Sequence, residues 1–189
     1  MKTLLQVTFN TLKRYHACQD RYSYLSKSLG GDEIYGLDTP INVLTILEHN
    51  GLGDAIWALR ATLQSSDKVC RLFSADCAES VLHIFEDEQL DDMRPRNAIQ
   101  AARDFANGLI SWSELKDAAW DAWAAWAASD SVAADADLAA WAAWAASDSV
   151  AADAASASWE ASDESDAEES KQVQFLKNYL IADSAEYEV

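Results

Sequence analysis

Apolar residues in this chain recur at intervals of three and four and almost never alternate, so the pattern predicts helices and no sheet. Leu4 to Lys13 forms a first helix, and Tyr15 to Ser28 a second that Gly30-Gly31 stops. Thr39-Pro40 starts a third, with Thr as N-cap and Pro at the first helical position; it runs through INVLTILEHN to a left-handed cap at Asn50-Gly51. Gly53-Asp54 opens DAIWALRATL. Ser65-Ser66-Asp67 caps a longer helix whose buried stripe is Val69, Leu72, Phe73, Cys77, Val81, Ile84 and Phe85. After the acidic turn EDEQLDDM, Pro95 restarts a helix (NAIQAARDFA) that Asn107-Gly108 ends. Ser111 with Glu114 then makes a capping box for an Ala/Trp-rich segment.

That segment repeats itself. Trp123–Ala136 (WAAWAASDSVAADA) recurs residue for residue as Trp141–Ala154, a period of 18 residues, and Trp159 falls one period further on. On one continuous helix, at about 100° per residue, Asp130 and Asp137 lie within about 40° of Trp123, so burying the Trp would drag carboxylates inward. Breaks at Ser129-Asp130-Ser131 and Ser147-Asp148-Ser149 relieve the conflict, because Ser and Asp cap helices. Short packed helices are therefore expected over a single rod. The bulk of the Trp set (Trp112, Trp120, Trp123, Trp126, Trp141) is expected in the core, with Trp144 and Trp159 the candidates for exposure at the end of the repeat. The whole reads as all-α: a compact multi-helix domain over 1–116, an acidic Ala/Trp repeat over 117–155 packed on it, a flexible acidic linker over 156–170, and a C-terminal helix and tail over 171–189. The tail's apolar positions Val173, Leu176 and Leu180 are expected to dock back on the body.

Charge gives this architecture a direction. The net charge of −18 is concentrated in the second half. Residues 1–110 hold 11 basic and 15 acidic side chains, residues 111–189 hold 3 and 17, and Asp117–Ser170 holds 13 acids and no Lys or Arg. Such a field repels nucleic acid and anionic membranes and attracts basic proteins. The bland alternative is that the acids only keep an Ala/Trp surface in solution. Three cysteines, Cys18, Cys70 and Cys77, have no disulfide or zinc spacing and point to thiols in a reducing cytoplasm. No signal peptide and no membrane span are expected.

Candidate chemistry is thin. Cys70 and Cys77 share a helix face, but His83 lies about 240° round from it, so core thiols are the better reading than a metal site. The three His are scattered, no GxSxG occurs, and NGLGD lacks the strand and spacing of a phosphate loop. Arg94-Pro95-Arg96, set among Glu86, Asp87, Glu88, Asp91 and Asp92, reads either as an anion contact or as charge pairing that fixes a turn, with Asp76 or Glu79 as further partners.

Arg71–Gly108 (RLFSADCAESVLHIFEDEQLDDMRPRNAIQAARDFANG) resembles the putative immunity protein family, and ILEHNGLGDAIWALRA looks like the segment that precedes that core in phage-encoded relatives. The resemblance covers roughly 40–155. It implies an all-helical bacterial or phage protein with no catalytic residues. Relatives often carry Arg through the Trp-rich tail, where this chain has only acids.

The expectation from residues and resemblance together is a non-enzymatic binding protein without metal or cofactor. It would act in the bacterial cytoplasm as an immunity-type or phage counter-defence inhibitor that sequesters a bacterial protein. A basic or nucleic-acid-binding target is expected, by DNA mimicry in the latter case, with no direct binding of nucleic acid or membrane and with homo-oligomers left open. The expected partner-binding residues are Asp117, Asp121, Asp130, Asp135, Asp137, Asp148, Asp153, Trp144 and Trp159. The alternative is a self-assembling helical scaffold.

Overall fold

A computed structural model describes residues 5–128 and 166–182. Among them the chain is all-α apart from one antiparallel strand pair, Gln6–Val7 (β1) with Ile41–Asn42 (β2). It falls into two compact units, one of residues 1–66 with 176–189 and one of 67–175.

The first unit corrects the sequence reading at its start. Leu5 and Val7 are both buried, and the chain between them is extended. Thr8 then opens helix α1 (Phe9–Arg14): its hydroxyl accepts from Thr11 N–H at 3.0 Å while Thr11 Oγ1 accepts from Thr8 N–H at 3.0 Å. His16, with φ of 62°, turns the chain, so α2 (Gln19–Ser28) begins later than Tyr15. A four-residue helix, α3 (Asp32–Tyr35), follows Gly31 and has no counterpart in the sequence reading. Thr39-Pro40 does not start a helix. The Thr39 hydroxyl donates to Tyr35 C=O, closing the turn after α3, and Pro40 leads into β2. Helix α4 (Val43–Asn50) starts after Asn42 and ends, as expected, at Gly51, whose φ of +90° would strain any side chain. Helix α5 (Leu52–Ala58) continues into a 3-10 turn, Leu59–Ala61. Helices α2 and α5 pack on α4.

The second unit follows the sequence reading closely. Helix α6 (Asp67–Glu88) buries Val69, Phe73, Cys77, Val81 and Phe85. Helix α7 (Arg94–Ala106) carries Pro95 in its first turn and stops at Asn107-Gly108. Helix α8 (Trp112–Ala128) runs through position 116 without a break. Its start is the expected capping box: Ser111 N–H donates to Glu114 at 2.7 Å, and Glu114 N–H to the Ser111 hydroxyl at 3.4 Å. Short turns join the three, and α7 packs on both α6 and α8. Their common core is Ala75, Ala78, Val81, Leu82, Phe85, Ile99, Ala102, Leu115 and Ala125. The last described helix, α9 (Asp166–Ala182), starts inside the expected linker, so Asp166–Ser170 are helical. Leu176 and Leu180 on it are buried and Val173 is half-buried. The repeat from Ser129 onward and the remainder of the expected linker lie outside the described residues.

Helix α8 turns Trp112, Trp120 and Trp123, all expected in the core, toward solvent, while the Trp126 side chain and Trp141 lie outside what the structure describes. Leu115, Ala119, Ala122 and Ala125 are its buried stripe, whereas Trp112, Trp120 and Trp123 are 37%, 61% and 40% exposed. The stripe recurs at three and four residues, so the helix periodicity is intact. Only the assignment of Trp to the inside fails, because α7 lies against a surface made of methyl groups. Two substitutions test this packing. Ala122→Leu forces extra volume into a filled interface and should lower stability by about 1–3 kcal/mol. Trp120→Ala should cost at most about 1 kcal/mol, since its neighbours are mainly Trp123 and solvent. Urea unfolding of both variants gives the comparison, and the reverse ranking would place Trp120 in the core.

Candidate functional site

The exposed flank of α8 is built by helical spacing. Trp112, Lys116, Trp120 and Trp123 stand at intervals of four, four and three, on one side of the buried Ala stripe. Asp117, exposed and one turn before Trp120, lies further round the same helix, while Asp121, also exposed, lies about 100° from Trp120. Trp120 and Trp123 meet edge to face, with ring centroids 5.6 Å apart and planes at 84°. At the other end Trp112 is held from beneath: it meets Phe105 edge-on at 5.7 Å, and the buried Arg71 guanidinium lies over Phe105 at 5.0 Å and over Trp112 at 5.8 Å. An anchored Trp at the helix start and a looser pair two turns on form one aromatic ridge with an acidic flank.

The same unit carries ion pairs on α6, on α7 and in the turn between them. Arg94 forks onto Asp92, with Nε at 2.9 Å and the terminal nitrogen at 2.6 Å, and Arg96 forks onto Glu86 at 2.7 and 2.6 Å. Arg103 reaches across to α6 and pairs with Asp76 at 2.7 Å and Glu79 at 2.6 Å. The charge-pairing reading of Arg94-Pro95-Arg96 thus accounts for both guanidinia, while the partner of Asp76 and Glu79 is Arg103, a residue the sequence reading passed over. Its i,i+7 position relative to Arg96 on α7 was the available signal. The Arg94 guanidinium holds the Asp92 carboxyl below the usual carboxylate range, and Arg103 does the same to Glu79. Burial alone would lower the pKa of Arg103, but its hydrogen bonds to Glu79 and Asp76 outweigh this and raise it. Asp121 also adds to the negative field at Arg94.

Of the expected partner-binding residues, the structure places Asp117 and Asp121 on the exposed side of α8. Asp130, Asp135, Asp137, Asp148, Asp153, Trp144 and Trp159 lie outside the described residues. Cys70 and Cys77 are core thiols, as expected, and His83 is exposed with Nδ1 3.2 Å from Ser80 C=O. The first unit holds an open groove of about 800 Å³ that the sequence did not reveal. There the Tyr22 hydroxyl donates to Asp32 at 2.6 Å and Lys13 pairs with the same carboxylate at 3.2 Å. No helix of the described residues is long and apolar enough to cross a membrane.

A family model described as Imm-5 like putative immunity protein matches residues 60–174, more than half of the chain, and the chain belongs to that family. The match nearly coincides with the second unit, whereas the sequence resemblance was drawn over roughly 40–155. No curated protein and no solved structure matches the chain.

The Arg103 pairs make a pH prediction. Glu79 has its pKa lowered in the folded state, so its contribution is full above the unfolded carboxylate's range and is lost as pH falls through the lower folded value. Glu79 is partly exposed, and screening keeps that contribution to about 1 kcal/mol or less. The stability difference between the wild type and Glu79→Gln should be present at pH 7 and close below about pH 4. Urea midpoints across pH 2–7 measure it, and a difference that persists unchanged at pH 2 would rule out the ionised pair as its source.

Proposed function

We propose that the chain is a non-enzymatic, immunity-type protein that sequesters a bacterial protein through the aromatic and acidic flank of α8. One observation carries the reading: on α8 Ala119, Ala122 and Ala125 are buried while Trp120 is 61% and Trp123 40% exposed. Turning Trp120 or Trp123 outward forgoes about 2–3 kcal/mol of burial for each. Folding alone gives no reason for this, since the Ala stripe already fills the interface with α7. Exposed Trp clusters are what recognition surfaces use as anchors. Asp117 beside Trp120, within a stretch of 13 acids and no bases, selects a basic target by charge complementarity. Where that target binds nucleic acid, the same carboxylates would compete for its phosphate sites.

The test compares tagged wild-type protein with Trp120→Ala/Trp123→Ala and Asp117→Lys/Asp121→Lys as baits for bacterial lysate at low and high salt. A basic protein retained by the wild type at low salt, and lost from both variants and at high salt, is the expected result. Retention of the same proteins by all three baits would sink the proposal. An empty wild-type bait that sediments as a concentration-dependent multimer would favour the self-assembling scaffold instead.

A further inference from the structure

We propose that the cation selected by this flank is arginine, carried on an exposed segment of the partner, and that Lys116 weakens the site. The inference rests on the reading of α8 as the target-binding face and names the chemistry of that target.

Three observations lead to it. First, an open indole face and a carboxylate occur together. Trp120 is 61% exposed, with Asp117 one turn before it on the helix. A guanidinium is planar, so it can lie on an indole and still turn its N–H fork to a carboxylate, whereas an ammonium is a compact and strongly hydrated charge. Second, where the described residues set a cation over an indole it is arginine, whereas Lys13 lies over the Tyr22 phenol ring at 5.0 Å and pairs with Asp32. Arg60 lies over Trp57 at 5.5 Å and Arg71 over Trp112 at 5.8 Å, while Arg96 and Arg94 fork onto Glu86 and Asp92. Third, Lys116 stands one turn from both Trp112 and Trp120, ideally spaced to stack, yet the cation–ring contacts of α8 do not include it. The indole surface beside it therefore stays open to a better-matched cation. Lys116 is also the only basic residue between Arg103 and Lys171, so its charge opposes the approach of any basic segment to an otherwise acidic stretch.

The probes are two peptides of identical sequence except that one carries six arginines and the other six lysines. They are titrated into 15N-labelled full-length protein at low salt. The indole N–H signals of Trp120 and Trp123 are assigned through Trp120→Phe and Trp123→Phe. Both signals should move with the arginine peptide, at a concentration about ten-fold below that needed with the lysine peptide. Lys116→Glu, an exposed change that leaves the Ala stripe intact, should tighten the arginine peptide about three-fold or more at low salt. Equal response to the two peptides, or no movement of either indole, overturns the inference, as does weaker binding by Lys116→Glu. These failures are separable from that of the underlying reading. If the wild type captures a target that Trp120→Ala/Trp123→Ala loses, the face is in use, and equal peptide affinities then remove only the preference for arginine.

Discussion

The methyl-lined contact between α7 and α8 is the constraint on which the second unit turns. Ala98 and Ala102 on one helix, and Ala119, Ala122 and Ala125 on the other, are buried, and Leu115 closes the end of the stripe. Small residues let two helices approach closely, and close approach leaves no volume for an indole. Once that contact is chosen, Trp120 and Trp123 have only the outside of α8 left to them. The aromatic ridge is thus a consequence of how the helix is seated, and the same seating leaves Asp117 exposed one turn from Trp120.

Charge acts at two ranges. At short range, acids and arginines on α6 and α7 are interleaved and neutralise each other: Glu86 with Arg96, Asp92 with Arg94, Asp76 and Glu79 with Arg103. The Glu86–Arg96 pair and the Asp76 and Glu79 pairs of Arg103 tie α6 to α7, while Asp92–Arg94 fixes the turn between them. At long range, what survives is the unbalanced part, 13 acids over Asp117–Ser170 with no internal base. The family match covers nearly the same stretch as the unit that holds these ion pairs and α8.

Much of the helix inventory was legible beforehand because its signals are local. The Ser111–Glu114 box, Pro95 in the first turn of α7, Asn107-Gly108 and Gly51 each act within four residues of themselves, and each appears where its chemistry places it. The misreadings share a cause. Thr39-Pro40 is a sound helix start taken alone, but Tyr35 C=O captures the Thr39 hydroxyl and the backbone of Ile41 and Asn42 is taken by β1. β1 and β2, two residues each, are too short to show as alternation and exist only because distant residues pair.

For the candidate site the line falls in the same way. The sequence determined the helical period of α8, the spacing of Trp112, Lys116, Trp120 and Trp123, the acidic excess and the resemblance to an immunity protein family, because each is a property of order and composition. Tertiary structure decided which side of α8 faces inward, that Arg103 rather than Arg94 or Arg96 serves Asp76 and Glu79, and that Arg71 lies over Trp112. Those outcomes depend on the volume and charge that neighbouring helices bring to a position. Hydrophobicity ranks Trp above Ala for burial, but packing at close helix approach ranks Ala first, and a helix period alone cannot say which of the two scales governs.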